Sequence, residues 1–336
     1  MSSKPLWITE ADVVAMMDMG EAIEALGAGL EREFRGQARN MVKTHVTFGG
    51  HDTLHAVGAV FPEDGFVGTK TWAHTEGGAT PLLILLDSHN GSLKAVIEAF
   101  AMGQLRTAAI SGVATRYLAR PDASRMAIIG TGKQAMPQLA AVAAVRRLEQ
   151  VKVFSPNPKH REDFARRAHD ELGLDAIAVD SVAAAVDGAD LITLVTRARE
   201  PFLDAAMVTR GAHLNAVGAI VPERIEFAPS LLKRCAMVAI DNLSQVQELS
   251  AEFREFYGPP ASEAWASVMP LSRVVGEDRR RPEAADLTLF KAMGMGISDL
   301  SLAIELYRRA IDRGLGRPFP HPEKVKPRLG KTSARS

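Results

Sequence analysis

A glycine-rich turn between an apolar run and an alanine-rich segment is the feature that most limits how this chain can fold. Residues 126–129 form the apolar run, and Gly130, Gly132 and Ala135 follow it with the spacing G-x-G-x-x-A. In a strand–turn–helix unit, the first glycine permits the tight turn and the second lets a pyrophosphate approach the backbone. The small third residue keeps the helix close to the sheet. The turn therefore predicts a dinucleotide at a helix N-terminus, if parallel strands surround it.

The second half of the chain supplies such strands. Helix-like segments separate most of the six short apolar runs at 126–129, 151–154, 176–179, 191–195, 214–217 and 237–240. Apolar strands that alternate with helices are typical of a parallel sheet covered on both faces. We therefore predict an α/β protein with a Rossmann-type, doubly wound parallel sheet over residues 121–315. Its last helix is predicted over residues 299–313, with Gly314 as the end.

The first 120 residues predict a different architecture. Thr9 and Asp12 form a capping pair that opens an amphipathic helix or a pair of helices. Between residues 41 and 100, turn residues separate short β-rich runs, as in an antiparallel meander. A helix over residues 101–119 follows. We therefore predict a smaller, β-rich α+β domain over residues 1–120, to which the C-terminal segment 316–336 returns.

Composition argues against several classes of partner. Forty basic and forty acidic residues cancel, so no overall field attracts nucleic acid or an anionic membrane. No apolar run has membrane-spanning length, and the first ten residues lack a signal-peptide pattern. Cys235 is the single cysteine, which suits a reducing compartment. We expect a cytoplasmic protein with no nucleic-acid partner, no membrane partner and no metal site.

The residues after the second predicted strand indicate which nicotinamide cofactor binds. NAD-selective sites normally carry an acidic residue here, which holds the ribose hydroxyl groups. The segment 155–161 has no carboxylate. It contains Ser155 and Asn157, followed by three potential cations, Lys159, His160 and Arg161. Because these groups suit a 2′-phosphate, NADP(H) is the predicted cofactor and NAD(H) the alternative. The alternative is that Lys159 and Arg161 are only exposed residues at the start of a helix.

Seven short segments share their pattern with one known family. Two of them are the most specific, namely Arg-Thr-Ala-Ala on a helix and Asn-Ala-Val-Gly after the fifth strand. The seven segments are 68–70, 79–81, 104–109, 129–132, 194–196, 213–218 and 290–294. On these residues the chain resembles the ornithine cyclodeaminase and mu-crystallin family over nearly its whole length. The resemblance implies that the β-rich domain binds substrate and forms a homodimer, and that an amino or imino acid lies between the domains beside the nicotinamide.

The resemblance also implies roles for individual residues. Arg106 and Lys70 are the expected catalytic residues: the guanidinium would hold the substrate α-carboxylate, and the lysine would hold charge or relay a proton. Lys43 and Thr80 would support the carboxylate, and Ile220 would border the substrate. The alternatives are a salt bridge for Arg106 and a structural role for Lys70. The expected cofactor-binding residues are Thr107, Gly130, Thr131, Gly132, Lys133, Gln134, Ser155, Asn157, Lys159, Arg161, Thr196, Val217, Gly218 and Met293.

One position departs from the family pattern. Cyclodeaminating relatives carry an aspartate where Ile220 stands, and that carboxylate handles the proton of the substrate amine. Reduction of a ready-made imine needs only hydride delivery and a fixed carboxylate. We therefore expect an NADPH-dependent imine or ketimine reductase that acts at the α-carbon of an imino acid. An ornithine cyclodeaminase-type enzyme and a non-catalytic NADPH-binding protein are the alternatives.

Overall fold

Two sheets and ten α-helices organise the part of the chain, residues 4–329, that the computed structural model describes. The helices are α1 (Glu10–Met16), α2 (Met19–Phe34), α3 (Phe100–Leu118), α4 (Ala135–Ala143), α5 (Pro158–Leu172), α6 (Val182–Val186), α7 (Leu243–Leu249), α8 (Ala251–Tyr257), α9 (Leu271–Gly276) and α10 (Gly296–Arg313). The strands of the first sheet are β1 (Leu6–Ile8), β2 (Arg39–Asn40), β3 (Thr44–Phe48), β4 (Asp52–Phe61), β5 (Phe66–Thr75), β6 (Gly78–Ala79), β7 (Leu82–Asp87), β8 (Leu93–Glu98) and β17 (Arg317–Pro318). Those of the second are β9 (Arg125–Ile129), β10 (Gln150–Phe154), β11 (Ala176–Ala178), β12 (Leu191–Leu194), β13 (Ala212–Ala216), β14 (Cys235–Ile240), β15 (Val268–Pro270) and β16 (Leu287–Lys291).

The first sheet confirms the predicted antiparallel meander. Its order is β17-β1-β8-β7-β5-β4-β2, with β3 added to β4 and β6 added to β5. Every pair is antiparallel except β1 with β8. The chain returns to this sheet at β17, which pairs with β1. Helix α10 packs on β4 and β5, although it lies within the range 121–315 of the predicted Rossmann domain. The division at residue 120 stays a prediction.

The N-terminal helices form where local signals predict them. Thr9 caps α1, and its side chain and that of Asp12 form a reciprocal capping box. Helix α2 buries Ile23, Leu26 and Leu30, each of which contributes about 1.5–3 kcal/mol when removed from water. Helix α3 lies between α2 and α4, so it contacts both halves of the molecule. That position brings one face of α3 to the space between the sheets.

The second sheet is parallel throughout, and it confirms the six predicted strands. Its order is β11-β10-β9-β12-β13-β16-β14-β15. Two further strands were not predicted from the sequence: β15 at one edge of the sheet, and β16 between β13 and β14. Strand β16 is short and ends in Lys291, yet all five of its residues are buried. The last helix is confirmed as α10, and Gly314 ends it in the left-handed conformation at φ 64°.

Candidate active site

A cavity of about 1060 Å³ lies where the carboxyl ends of the parallel strands face the first sheet. Its wall includes the residues that end or follow β9, β10, β12, β13, β14 and β16, together with parts of β4, β5, α3 and α10. Ligands of doubly wound folds bind at this edge, and the volume is at the upper end of small-molecule sites. The cavity therefore has the position and size for a dinucleotide and a small second molecule.

The glycine-rich turn forms one end of the cavity. Gly130 has φ 111°, and a Cβ there would lie 2.6 Å from the Val195 carbonyl oxygen, so only glycine fits. Gly132 faces open space, because a Cβ built on it meets no atom within 4 Å. Helix α4 begins directly afterwards at Ala135, and its unpaired amides and dipole favour an anion. This end suits a pyrophosphate.

The rim after β10 differs in detail from the sequence prediction. Ser155, Asn157 and His160 line the cavity, whereas Lys159 and Arg161 do not. Arg161 donates to the Ser155 carbonyl oxygen at 3.1 Å and forms an ion pair with Asp180, so its charge is already engaged. The Lys159 side chain is exposed. Neither Lys159 nor Arg161 therefore forms part of the cavity wall.

Charged side chains from distant segments meet at the other end of the cavity. Lys43, Arg106, Asp241 and Asp299 line this end. Lys70 lies just behind it on β5, almost fully buried, and its Nζ donates to Asp299 Oδ1 at 2.5 Å. Arg106 Nε lies 3.3 Å from the same oxygen. Asp299 thus joins the two predicted catalytic cations.

The electrostatics of this end favour an anionic ligand. Burial lowers the pKa of Lys70 to about 8, although the Asp299 carboxylate opposes the shift. Burial, and then the Arg106 charge, also lowers the pKa of Lys43. Three cations face two carboxylates, Asp241 and Asp299, so the cluster carries one excess positive charge when all five groups are ionised. A substrate carboxylate would balance it and relieve the repulsion between the cations.

Three buried polar atoms at this end lack a hydrogen-bond partner within residues 4–329. They are Asp299 Oδ2, Ser298 Oγ and Arg106 Nε, and all three residues line the cavity. Buried polar atoms normally have partners, since an unmade hydrogen bond costs about 1–3 kcal/mol. The atoms therefore offer one acceptor, one hydroxyl and one N–H donor to a bound molecule.

Comparison with known proteins identifies the family. The sequence model of the ornithine cyclodeaminase/mu-crystallin family matches residues 4–314. The chain belongs to this family. It is 30% identical over 258 residues to a Delta(1)-pyrroline-2-carboxylate reductase of Bacillus cereus, covering 76% of this chain and 77% of the relative.

Solved structures of the family share the fold. The Delta(1)-pyrroline-2-carboxylate reductase of Thermococcus litoralis, in complex with NADH and L-proline, has a TM-score of 0.86 at 26% identity, covering 94% of this chain and 100% of that one. An archaeal alanine dehydrogenase dimer with bound NAD has a TM-score of 0.85 at 26% identity, covering 94% and 99%. As a member of this family, the chain is an NAD(P)-dependent oxidoreductase of small amino or imino acids.

Most residues to which the family resemblance gave a role line this cavity. For the substrate these are Lys43, Arg106 and Ile220, with Lys70 behind them. For the cofactor they are Thr107, Gly130, Thr131, Gly132, Lys133, Gln134, Ser155, Asn157, Thr196, Val217, Gly218 and Met293. Thr80 is exposed and does not line the cavity, because it follows the short edge strand β6. Lining residues that were not predicted from the sequence include Trp72, Asp241 and Asp299.

Ile220, which departs from the family pattern, lines the cavity. Two carboxylates, Asp241 and Asp299, also line it. Ile220 lies on the loop after β13. Asp241 accepts backbone hydrogen bonds from Met293 and Gly294 at 2.7–3.0 Å, and burial raises its pKa. Asp299 keeps one oxygen unpartnered within the described residues. A proton acceptor other than position 220 is therefore available.

The described residues contain neither a candidate metal site nor a helix that could cross a membrane. Between residues 4 and 329, no group of three or more histidine, cysteine, aspartate or glutamate side chains could hold a metal ion. Within the same range, every helix is too short or too polar to cross a membrane.

Proposed function

We propose that this protein is an NADPH-dependent reductase of imino acids, which delivers a hydride to the α-carbon of an imine and forms an amino acid. One observation carries the proposal: Lys70, Arg106 and Asp299 form a buried charged group beside a cavity of dinucleotide size. Such a group can hold a carboxylate and manage a proton at the same place, which is what imine reduction requires.

Each residue of the group has a distinct task. Arg106 holds the substrate α-carboxylate, because its planar guanidinium matches two carboxylate oxygens. The free oxygen of Asp299 accepts the N–H of a protonated imine, which fixes the C=N carbon toward the nicotinamide. The cofactor supplies the hydride when it is bound. Hydride addition converts the protonated imine into a neutral amine. Lys70, with a pKa of about 8, is protonated at neutral pH and then supplies a proton to that amine nitrogen through Asp299.

The family relatives support this class of substrate. Two of them are named for a cyclic imino acid, Delta(1)-pyrroline-2-carboxylate, and one for alanine. Their shared chemistry is a hydride exchange at a carbon that carries both nitrogen and a carboxylate. We extend that chemistry to this chain and propose a substrate with a single α-carboxylate beside the imine.

We further propose that NADP(H) is the preferred cofactor. Ser155, Asn157 and His160 line the rim after β10, and both carboxylates that line the cavity lie at its charged end. A ribose diol would thus lack its usual acidic partner at the rim, whereas a 2′-phosphate would meet a hydroxyl, an amide and an imidazole. Because two relatives were solved with bound NAD or NADH, the activities of this protein with NADPH and with NADH need to be compared directly.

We also propose a homodimer formed through the β3–β4 hairpin. Val46 and Leu54 are opposite each other in this hairpin, and Phe48 follows on the same face; all three are about half exposed. A contiguous apolar stripe of this kind marks a protein interface, and the archaeal alanine dehydrogenase is a dimer. Light scattering should give a dimer for the wild type and a monomer for Val46→Glu, while Val14→Glu, an exposed apolar control on α1, stays dimeric.

A substrate panel tests the proposed reaction. NADPH oxidation is followed with cyclic ketimines and with 2-oxo acids plus ammonia or methylamine, and ammonia release from ornithine and lysine is measured in parallel. We expect oxidation of NADPH with at least one imine, and slower turnover with NADH. Ammonia release from ornithine without imine reduction would instead make the protein a cyclodeaminase. Tight NADPH binding without turnover of any substrate would favour a carrier.

A further inference from the structure

Glu226 is a buried carboxylate that contacts two cavity-lining loops without lining the cavity itself. It is fully buried, and its own backbone N–H donates to Oε1 of a second buried carboxylate, Glu252, at 3.0 Å. Its Oε1 accepts hydrogen bonds from the Thr196 backbone N–H at 2.7 Å and from the Thr196 hydroxyl at 2.8 Å. Its Oε2 accepts from the backbone N–H groups of Gly218 and Ala219 at 2.9 and 3.0 Å. One side chain thus joins the loop after β12 to the loop after β13.

Lys291 completes the arrangement from the end of β16. It is fully buried, and its Nζ donates to the Ala219 carbonyl oxygen at 2.6 Å. Its charge lies close enough to Glu226 to offset part of the cost of burying that carboxylate. The peptide groups on both sides of Ala219 are therefore fixed, the N–H by Glu226 and the C=O by Lys291.

The two loops approach each other so closely that they have little freedom to adjust. A Cβ on Gly218 would lie 2.3 Å from the Thr196 carbonyl oxygen and 2.5 Å from Glu226 Oε1. Thr196, Gly218 and Ile220 line the cavity, so any shift of the loops changes its wall. In a doubly wound sheet, strands β12 and β13 belong to the half that holds the second mononucleotide, which here is the nicotinamide end.

We propose that Glu226 and Lys291 form a positioning pair, which holds the loops after β12 and β13 in the arrangement that accepts the nicotinamide half of the cofactor. The inference rests on the proposed placement of the nicotinamide beside Arg106. Glu226 does not line the cavity, so its effect on the reaction passes through Thr196, Gly218 and Ala219. Its loss should therefore weaken the binding of whole dinucleotides and leave the adenosine end unaffected.

The test compares two ligands and two buried carboxylates. Fluorescence titration measures NADPH binding, and calorimetry measures 2′,5′-ADP, a fragment that lacks the nicotinamide half. In Glu226→Gln, an NH₂ group replaces one acceptor and faces backbone N–H donors, so NADPH binding should weaken by about tenfold or more. Binding of 2′,5′-ADP should change less than about twofold, because the glycine-rich turn and the β10 rim are untouched.

Asp190→Asn is the matched control. Asp190 is also buried and accepts backbone N–H groups, from Ser124 and Arg125 at 3.2 and 3.1 Å, but it lies at the opposite ends of the strands. Both substitutions should lower the melting temperature. Only Glu226→Gln should weaken NADPH binding while leaving 2′,5′-ADP binding nearly unchanged. Kinetics give a second measurement: KM for NADPH rises, while kcat at saturating NADPH stays within a few-fold of the wild-type value.

Each negative result has a separate meaning. If wild-type protein binds neither NADPH nor NADH, the proposed function fails. If wild type binds NADPH and Glu226→Gln binds it equally well, or loses both ligands in parallel, the positioning role is wrong and Glu226 serves the fold alone. If Glu226→Gln does not fold, Glu226→Asp replaces it, because aspartate keeps the charge on a shorter side chain. This variant too must weaken NADPH binding while 2′,5′-ADP binding stays nearly unchanged.

Discussion

The two ends of the cavity are built in different ways. At the nucleotide end, the wall consists of the segment from β9 through Gly130 and Gly132 into α4, together with the residues that follow β10. At the charged end, side chains from five separate segments meet, and Asp299 links two of them through a single oxygen. The first end selects its ligand by shape and by helix amides, and the second by charge. Changes at the first should therefore affect binding, and changes at the second should affect turnover.

The largest effect is expected at Arg106. Its replacement should lower turnover, a property of the charged end, without changing cofactor binding, a property of the nucleotide end. Arg106→Ala removes two charge-assisted hydrogen bonds to the substrate carboxylate, so kcat/KM for the imino acid should fall by about a thousandfold. The dissociation constant of NADPH should change little. Arg116→Ala, on the same helix and paired with Glu24 at the surface, is the control. Equal loss of turnover and NADPH binding would make Arg106 a structural residue.

A hundredfold effect with a change in pH dependence is expected at Asp299. Asp299→Asn removes the carboxylate that raises the pKa of Lys70, so kcat/KM should fall by about a hundredfold, within the range of general acid catalysis. In the wild type, imine reduction should decline as pH rises through about 8, because Lys70 loses its proton there. In the variant, the decline should begin at lower pH.

Rate–pH profiles of both proteins check this, with Asp312→Asn, an exposed aspartate on the same helix, as the control. A variant whose decline stays near pH 8 would show that another group, and not the Lys70–Asp299 pair, supplies the proton.

This contrast between the ends also explains how much the sequence could predict. The nucleotide end depends on short-range spacing around Gly130, so the motif, the strand before it and the alanine-rich helix after it could all be predicted. Lys70 and Arg106 were found only through resemblance to a family. Asp241 directly follows a predicted strand, where functional residues of parallel sheets lie, so a signal existed and was missed. Asp299 had no such signal, because α10 crosses to the first sheet and brings its first turn to Lys70.

Two alanine substitutions in the glycine-rich turn test whether shape alone governs the nucleotide end. Gly132→Ala places a methyl group in open space toward the cavity, so NADPH binding should weaken by about tenfold while the melting temperature stays nearly constant. Gly130→Ala should instead destabilise the fold by about 1–3 kcal/mol, because its φ is positive and Val195 blocks the methyl group. Binding titrations and thermal melts distinguish them. Identical behaviour of the two variants would mean that the cofactor does not approach the backbone at Gly132.

The smallest effect is expected at the rim after β10. This rim is the part of the nucleotide end where side-chain charge should affect the choice between NADPH and NADH. Ser155→Asp introduces the acidic residue that NAD-selective sites carry, and the ratio of kcat/KM with NADPH to that with NADH should fall by about tenfold, because a carboxylate repels the 2′-phosphate. Ser155→Ala, which removes only the hydroxyl, should change the ratio less. If the wild type already prefers NADH, the rim does not bind a phosphate and the preference for NADP(H) is wrong. In that case, the ion pair with Asp180 keeps the Arg161 charge from a phosphate.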